Sequence, residues 1–227
     1  MEYPKITIGI PVYKQSEFLS NAIESALDQT VNCEVIVCAD GDNEAYEIAK
    51  KYPIKVIQQV NKGLASARNT LIMNMSGNFF LPLDADDMLL ENCIERIEKT
   101  IKENPNVEVI GLSLKTFGSS NQEIILMPNP TIEDFKTGNR LGYCCAIKKS
   151  ALLAVGGYNP KMVWGAEDYD LWFDLLKRGY KIVTIPEVLW LYRIKPNSMW
   201  TETAKHKEEF MNQIKINHPE IKDFKLW

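Results

Sequence analysis

The sequence predicts an α/β fold, with a mostly parallel central sheet flanked by helices. Three observations predict it. Short β-branched runs alternate with amphipathic stretches through the first half of the chain, the mark of right-handed β-α-β crossovers. The apolar runs end abruptly in carboxylates, at Asp40 and at Asp84-Ala85-Asp86-Asp87. No internal repeat, low-complexity tract or linker interrupts the 227 residues, so one compact domain spanning 1–227 is the simplest account.

Each element has its own reason. Residues 5–10 are short and β-branched, a buried strand that Pro11-Val12-Tyr13-Lys14 should stop. Ser16 is placed to cap a helix whose apolar face is Leu19, Ala22, Ile23, Ala26 and Leu27. Residues 33–39 form a second strand ending at Asp40, 44–51 a short helix, and 54–60 a third strand. Asn61-Lys62-Gly63 turns into a helix over 64–75. Its inward stripe is Leu64, Ala67, Leu71, Ile72 and Met75, with Arg68 and Asn69 off the stripe's centre. A fourth strand, 78–83, delivers the acids, and Leu90, Ile94, Ile97 and Ile101 mark the next helix, closed by Asn104-Pro105.

The second half is less regular. Residues 107–114 read as a strand, and 117–121 as a turn into 123–127, a hairpin. Thr131 to Asp134 resembles a capping box with Asp in place of Glu. Residues 142–147 are a strand, and 149–155 a helix stopped by Gly156-Gly157. Residues 166–178 form a helix closed by Gly179, 181–185 a last strand, and 203–216 a peripheral helix. The organisation expected is a nucleotide-binding half (1–105), an acceptor-binding half (106–200) and a peripheral tail (201–227).

Composition narrows the partners. Net charge is −4 with both signs mixed, and no basic block interleaves with aromatics, so nucleic acid is not expected. The five cysteines are odd in number and lack a Cys-x-x-Cys pair, and with two histidines no zinc spacing forms. They read as buried reduced thiols of a cytosolic protein. Residues 1–5 carry no signal-peptide pattern, and no apolar run has the length of a transmembrane helix. The expected location is the cytoplasm, with peripheral association at the inner face of the membrane left open.

An unpaired Asp is costly to bury, so the acids after Phe79-Phe80-Leu81-Pro82-Leu83 belong at a strand exit. Asp84 and Asp86 fall on one side of the chain by the two-residue period, a spacing that suits a hard divalent ion. Asp86 or Asp87 as a helix N-cap is the alternative. Ligands of open parallel sheets sit beyond the carboxyl ends of the strands, where Asp40 also falls.

Taken together, the pieces resemble the family 2 glycosyltransferases of GT-A fold. They are Ile10-Pro11-Val12-Tyr13, Asp40, residues 61–69 (NKGLASARN), Asp84-Ala85-Asp86-Asp87, Gly156-Gly157-Tyr158, Glu167-Asp168-Tyr169-Asp170-Leu171-Trp172, and Tyr192-Arg193 followed by Ser198. Each is weak alone; their order and spacing are specific, and they span 6–198. The resemblance implies transfer of a sugar from a nucleoside diphosphate, UDP above all, to a glycan, lipid-linked or protein acceptor, with inversion. It implies Asp168 as general base and Glu167 as the residue that orients the acceptor. Pro11, Tyr13, Asp40, Lys62, Gly63, Arg68, Asp84 and Ala85 would bind the nucleotide, with Asp40 accepting the base imide N–H. Asp86 and Asp84 would hold Mn2+ or Mg2+. Trp164, Arg193, Lys195 and Ser198 would meet acceptor or phosphate.

Two positions depart from the family pattern. Lys14 stands where many relatives have Asn or Asp. Lys195 stands where many have a His that ligates the metal, and a protonated ammonium cannot replace it. The expectation is fewer protein ligands on the metal, or a direct contact from Lys195 to the diphosphate. Two other classes compete. A non-catalytic nucleotide-sugar binder would not need Asp168. A sugar-phosphate nucleotidyltransferase would carry a Gly-rich basic loop after the first strand, which Ile10-Pro11-Val12-Tyr13 is not.

Overall fold

The computed structural model describes residues 6–196 and 205–221. Three parallel strands open the chain: β1 (Ile6–Val12), β2 (Glu34–Asp40) and β3 (Lys55–Gln59), joined through helices α1 (Ser16–Leu27) and α2 (Asn43–Ala49). Helix α3 (Leu64–Asn74) crosses to β4 (Phe79–Pro82), which pairs with β1 in parallel. A two-residue strand β5 (Met88–Leu89) and helix α4 (Cys93–Glu103) follow.

The remaining elements are β6 (Val109–Gly118), β7 (Glu123–Ile124), α5 (Ile132–Phe135), β8 (Cys145–Lys148), α6 (Lys149–Val155), α7 (Glu167–Lys177), β9 (Ile182–Ile194) and α8 (Lys207–Asn217). Among the described residues the sheet runs β3-β2-β1-β4-β8-β6-β9-β5, with β7 added to β6 as a hairpin arm. Strand β8 is antiparallel to both β4 and β6, while β6 and β9 are parallel, so the sheet is mostly parallel as expected.

Side-chain alternation splits the core into two layers. On β2, Val35, Val37 and Ala39 join one apolar cluster with α1, α2 and α4. Ile36 and Cys38 join the other, with α3, α6 and α7. Gly9 faces this second layer because Phe80 lies where its Cβ would be. All five cysteines are free thiols, four of them buried, consistent with the sequence reading.

Several boundaries differ from expectation. Pro11 does not stop β1; it pairs opposite Cys38. Its missing N–H costs no ladder bond, because β4 ends at the Gly9–Pro82 pair and leaves that flank open. Ser16 does not cap α1. Gln15 holds that position, and the Ser16 hydroxyl donates to Glu44 at 2.9 Å. Leu27 is exposed at the helix end. The last strand runs thirteen residues instead of stopping at 185, because pairing with β6 continues past an irregularity at Leu112–Leu114. Of the expected 203–216 helix, residues 203 and 204 lie outside the described residues; the observed helix is Lys207–Asn217. Asp134 accepts the Thr131 backbone N–H at 2.8 Å, as the capping box requires.

One polar pair locks the two halves of the chain. Asn69 Nδ2 donates to the Tyr158 carbonyl at 2.7 Å, and Asn69 Oδ1 accepts the Tyr158 N–H at 2.8 Å. Gly157 sits against Asn69 at φ +77°, with no room for a Cβ. Thus two motifs far apart in sequence are one hydrogen-bonded unit. Asn69→Ala strands both backbone groups, and urea unfolding should show a loss of about 2 kcal/mol.

Candidate active site

Strands β1, β2 and β4 end at the same edge, where β2 closes with Asp40 and β4 leads into Asp84. Asp40 closes β2 and is nearly inaccessible. Its Oδ1 accepts from Gln59 Nε2 (2.7 Å) and the Lys62 N–H (2.9 Å), and its Oδ2 from the Gly63 N–H (2.9 Å). Asp40 therefore shapes the 61–63 turn, and Gly63, at φ +86°, begins α3 in a conformation that favours glycine. Lys62 is exposed on this turn. Pro11 is buried below the edge, while Tyr13 is 44% exposed, with Lys14 Nζ 5.0 Å from its ring centroid.

Arg68 is more deeply placed than its position off the centre of the helix stripe suggests. It is not at the margin of the α3 stripe but wholly buried. Its Nη2 donates to Asp84 Oδ1 at 2.8 Å, and its Nη1 donates to Glu167 Oε1. The rings of Tyr143 and Tyr158 flank the guanidinium at 5.0 and 5.3 Å, and Nε has no hydrogen-bond partner among the described residues. Arg68 thus makes the salt bridge to Asp84 that its place before the acid cluster allows, and it also lines the cavity described below.

The acid turn is fastened from three sides. Ala85 is buried beneath it. Asp87 is buried, accepting from the Tyr143 hydroxyl at 2.5 Å and from the Arg193 N–H at 2.7 Å. Tyr143 in turn accepts the Asp84 N–H at 3.0 Å. Arg193 Nε donates to the Asp86 carbonyl at 2.8 Å, its guanidinium resting 4.4 Å from Phe18 and 4.3 Å from Phe117. Lys195 Nζ lies 2.6 Å from Asp86 Oδ2. Burial pushes Asp84 up to about 6 despite Arg68. Burial, with Asp84 and Asp86 beside it, holds Asp87 well above the ordinary carboxylate range.

Glu167 and Asp168 open α7, following Gly165 at φ +94° and Ala166 at φ +60°. A left-handed alanine is strained, and it aims this helix start at the site. Asp168 is half-buried. Its Oδ2 accepts from Asn139 Nδ2 at 3.1 Å and its Oδ1 from the Tyr169 N–H at 2.8 Å. Burial, then the neighbouring Glu167 charge, pushes it up to about 7, while Arg68, the Tyr169 N–H and Asn139 pull it down.

Arg68, Asp84, Glu167 and Asp168 line one cavity of about 810 Å3. Its opposite wall is largely apolar, including Leu114, Ile125, Leu141, Trp190 and Tyr192. No motif marks Asn139 or Tyr143, which lie in an irregular stretch. Trp164 is not on this cavity. It borders a separate small pocket and stacks on His206 at 3.8 Å. Ser198 lies outside the described residues.

The fold also makes a cluster that spacing did not foretell. Ligand atoms of Asp170, Asp174 and His218 lie within 4.8 Å of one another. His218 Nε2 is 2.9 Å from Asp170 Oδ1, and Lys177 Nζ is 2.8 Å from His218 Nδ1. The group already contains its own cation and pins the segment after α8 to α7.

The chain matches the family described as glycosyl transferase family 2 over residues 7–152. It belongs to that family. Within it, the chain is similar to the glycosyltransferase GlyA of Streptococcus pneumoniae, 39% identical over 106 residues, 44% of this chain and 15% of that protein. Its fold is similar to S. aureus TarS 1-349 in complex with UDP-GlcNAc, with TM-score 0.77 and 16% identity, covering 94% of this chain and 66% of TarS 1-349. It is also similar to the mannosyltransferase PcManGT of Pyrobaculum calidifontis, in complex with GDP-Man and Mn2+. There the TM-score is 0.66 and the identity 18%, over 93% of this chain and 64% of that one. Each of these three chains extends beyond the length matched here. The fold is accordingly the GT-A type, and among the described residues no helix is long and apolar enough to cross a membrane.

For this family 2 chain, Arg68→Ala would leave buried Glu167 and half-buried Asp84 without their cation. Chemical denaturation should show a loss of about 3–5 kcal/mol.

Proposed function

We propose that the protein is an inverting glycosyltransferase. It moves a sugar from a nucleoside diphosphate, with UDP the first candidate, to a hydroxyl of a glycan, a lipid-linked sugar or a protein. The observation that carries this reading is that Asp84 of the acid turn and Asp168 line one cavity, with Arg68 bonded to Asp84 and to Glu167 beside Asp168. A single displacement needs a leaving-group site and a base on opposite sides of the reacting carbon, and these roles are assigned to the acid turn and to Asp168.

The base is assigned to the edge beside Tyr13, Pro11 and the Lys62-Gly63 turn. Asp40 keeps a lone-pair direction for an imide N–H beyond the three donors it accepts. The diphosphate is assigned to the acid turn, and the sugar to the cavity. The acceptor hydroxyl oxygen attacks the anomeric carbon while its proton passes to Asp168. The bond to the β-phosphate oxygen breaks, and its electron pair leaves with the diphosphate. Asn139 holds Asp168 for this transfer. Glu167, fixed by Arg68, lies beside the acceptor's path.

Hard oxygen ligands at the turn suit Mn2+ or Mg2+. Asp84 Oδ2 and Asp86 Oδ1 carry no hydrogen bond among the described residues, so Asp86 with Asp84 would hold the ion. When bound, the ion would stabilise charge on the leaving diphosphate. The glycosidic organisation assigns 1–105 to the nucleotide and 106–200 to the acceptor, with the protein working in the cytoplasm on one face of a membrane or free.

Transfer or donor hydrolysis with a panel of nucleoside-diphosphate sugars tests the reading. Asp168→Asn should keep nucleotide affinity while turnover falls about 100-fold to 10,000-fold. Retained turnover would remove Asp168 from the base role; absent turnover in the wild type with binding intact would favour a non-catalytic binder. Asp168 acts as the carboxylate, so kcat/KM should rise with pH through about 7 and level above it. Asn139 stabilises that carboxylate, so Asn139→Ala should move the midpoint upward, read from the same pH series.

A further inference from the structure

We propose that Lys195 is the resident counter-charge of the donor site. In this chain its ammonium occupies Asp86 Oδ2, weakens divalent-cation binding at that carboxylate without abolishing it, and meets the diphosphate directly. The inference rests on the nucleotide-sugar reading above.

The geometry behind it is local and built. Lys195 Nζ stands 2.6 Å from Asp86 Oδ2, with the two side chains only 22% and 13% exposed. Gln15 Nε2 reaches the same oxygen at 3.5 Å. The ammonium also lies 4.9 Å from the Phe18 ring centroid, a cation–π distance. Arg193, two residues earlier and on the same side of the chain, is tied to the Asp86 carbonyl and to Asp87. The end of β9 is thereby clipped to the acid turn, which delivers Lys195 to Asp86.

Charge explains what this does. Arg68 is shared between Asp84 and Glu167, whereas Lys195 pairs with Asp86. A divalent ion entering at Asp86 would share its carboxylate with a fixed positive charge and be repelled by it. A diphosphate meets the opposite situation. An ammonium carries three donors, and Asp86 takes one, leaving others for phosphate oxygens. Lysine suits this role as a compact charge on a flexible stem.

The test uses the whole chain with Lys195→Gln and Lys195→Met, thermal melts ensuring that folded proteins are compared. Mn2+ alone, titrated by electron paramagnetic resonance, should bind both variants at least about tenfold more tightly than the wild type. UDP, titrated calorimetrically in EDTA, should bind both variants at least about tenfold more weakly. Unchanged or weaker Mn2+ binding in both variants overturns the proposal. So does UDP binding in EDTA that ignores the substitutions. If UDP, GDP and dTDP all fail to bind with or without Mn2+, the nucleotide-sugar reading falls and takes the diphosphate contact with it. The Mn2+ titration would still decide whether Lys195 guards Asp86.

Discussion

The site depends on one buried guanidinium. Arg68 bonds Asp84 from the exit of β4 and Glu167 from the start of α7, and it does so with no exposure to solvent. Two carboxylates at that depth would repel each other and carry an uncompensated desolvation cost. With Arg68 between them, their positions become mutually fixed. Asp168 follows Glu167 directly, so the same contact sets where the proposed base stands relative to the acid turn. The left-handed Ala166 just before is strained, and that strain persists because α7 is held from within by this pair.

Other ties serve the same arrangement. Asn69, one residue along α3, binds both backbone groups of Tyr158, whose ring flanks Arg68. Tyr143 bridges Asp84 and Asp87, and its ring flanks the guanidinium on another side. Arg193 and Lys195 bring the end of β9 onto the Asp86-Asp87 corner. The acids come from the first half of the chain and their restraints from the second. The cavity exists only where the halves meet.

Much of this was legible in the sequence for a physical reason. Strand exits mark themselves where apolar runs end in carboxylates, and helix α6 is bounded by Gly156, which takes a left-handed conformation. What stayed hidden depends on partners distant in sequence. Arg68 looked marginal on α3 because periodicity reports a helix's own face, whereas its burial is made possible by Glu167 ninety-nine positions away. The expected last strand ends at 185, whereas pairing with β6 sustains the observed one to Ile194. Asn139 gave no signal, since a single Asn in an irregular stretch gains meaning only from Asp168. Trp164, by its place before Glu167 either a sugar platform or a core residue, is 44% exposed and stacks on His206, a contact made only in the fold.

The central claim is that the strand-exit acids and the Asp168 cavity form one donor–acceptor site joined through Arg68. The most direct measurement is a crystal structure of the chain soaked with UDP. The account predicts the base beside Tyr13 and Asp40, the diphosphate at Asp84, Asp86 and Lys195, and the β-phosphate directed into the cavity lined by Asp168. A nucleotide bound elsewhere, or at this edge with its β-phosphate directed away from that cavity, would contradict it.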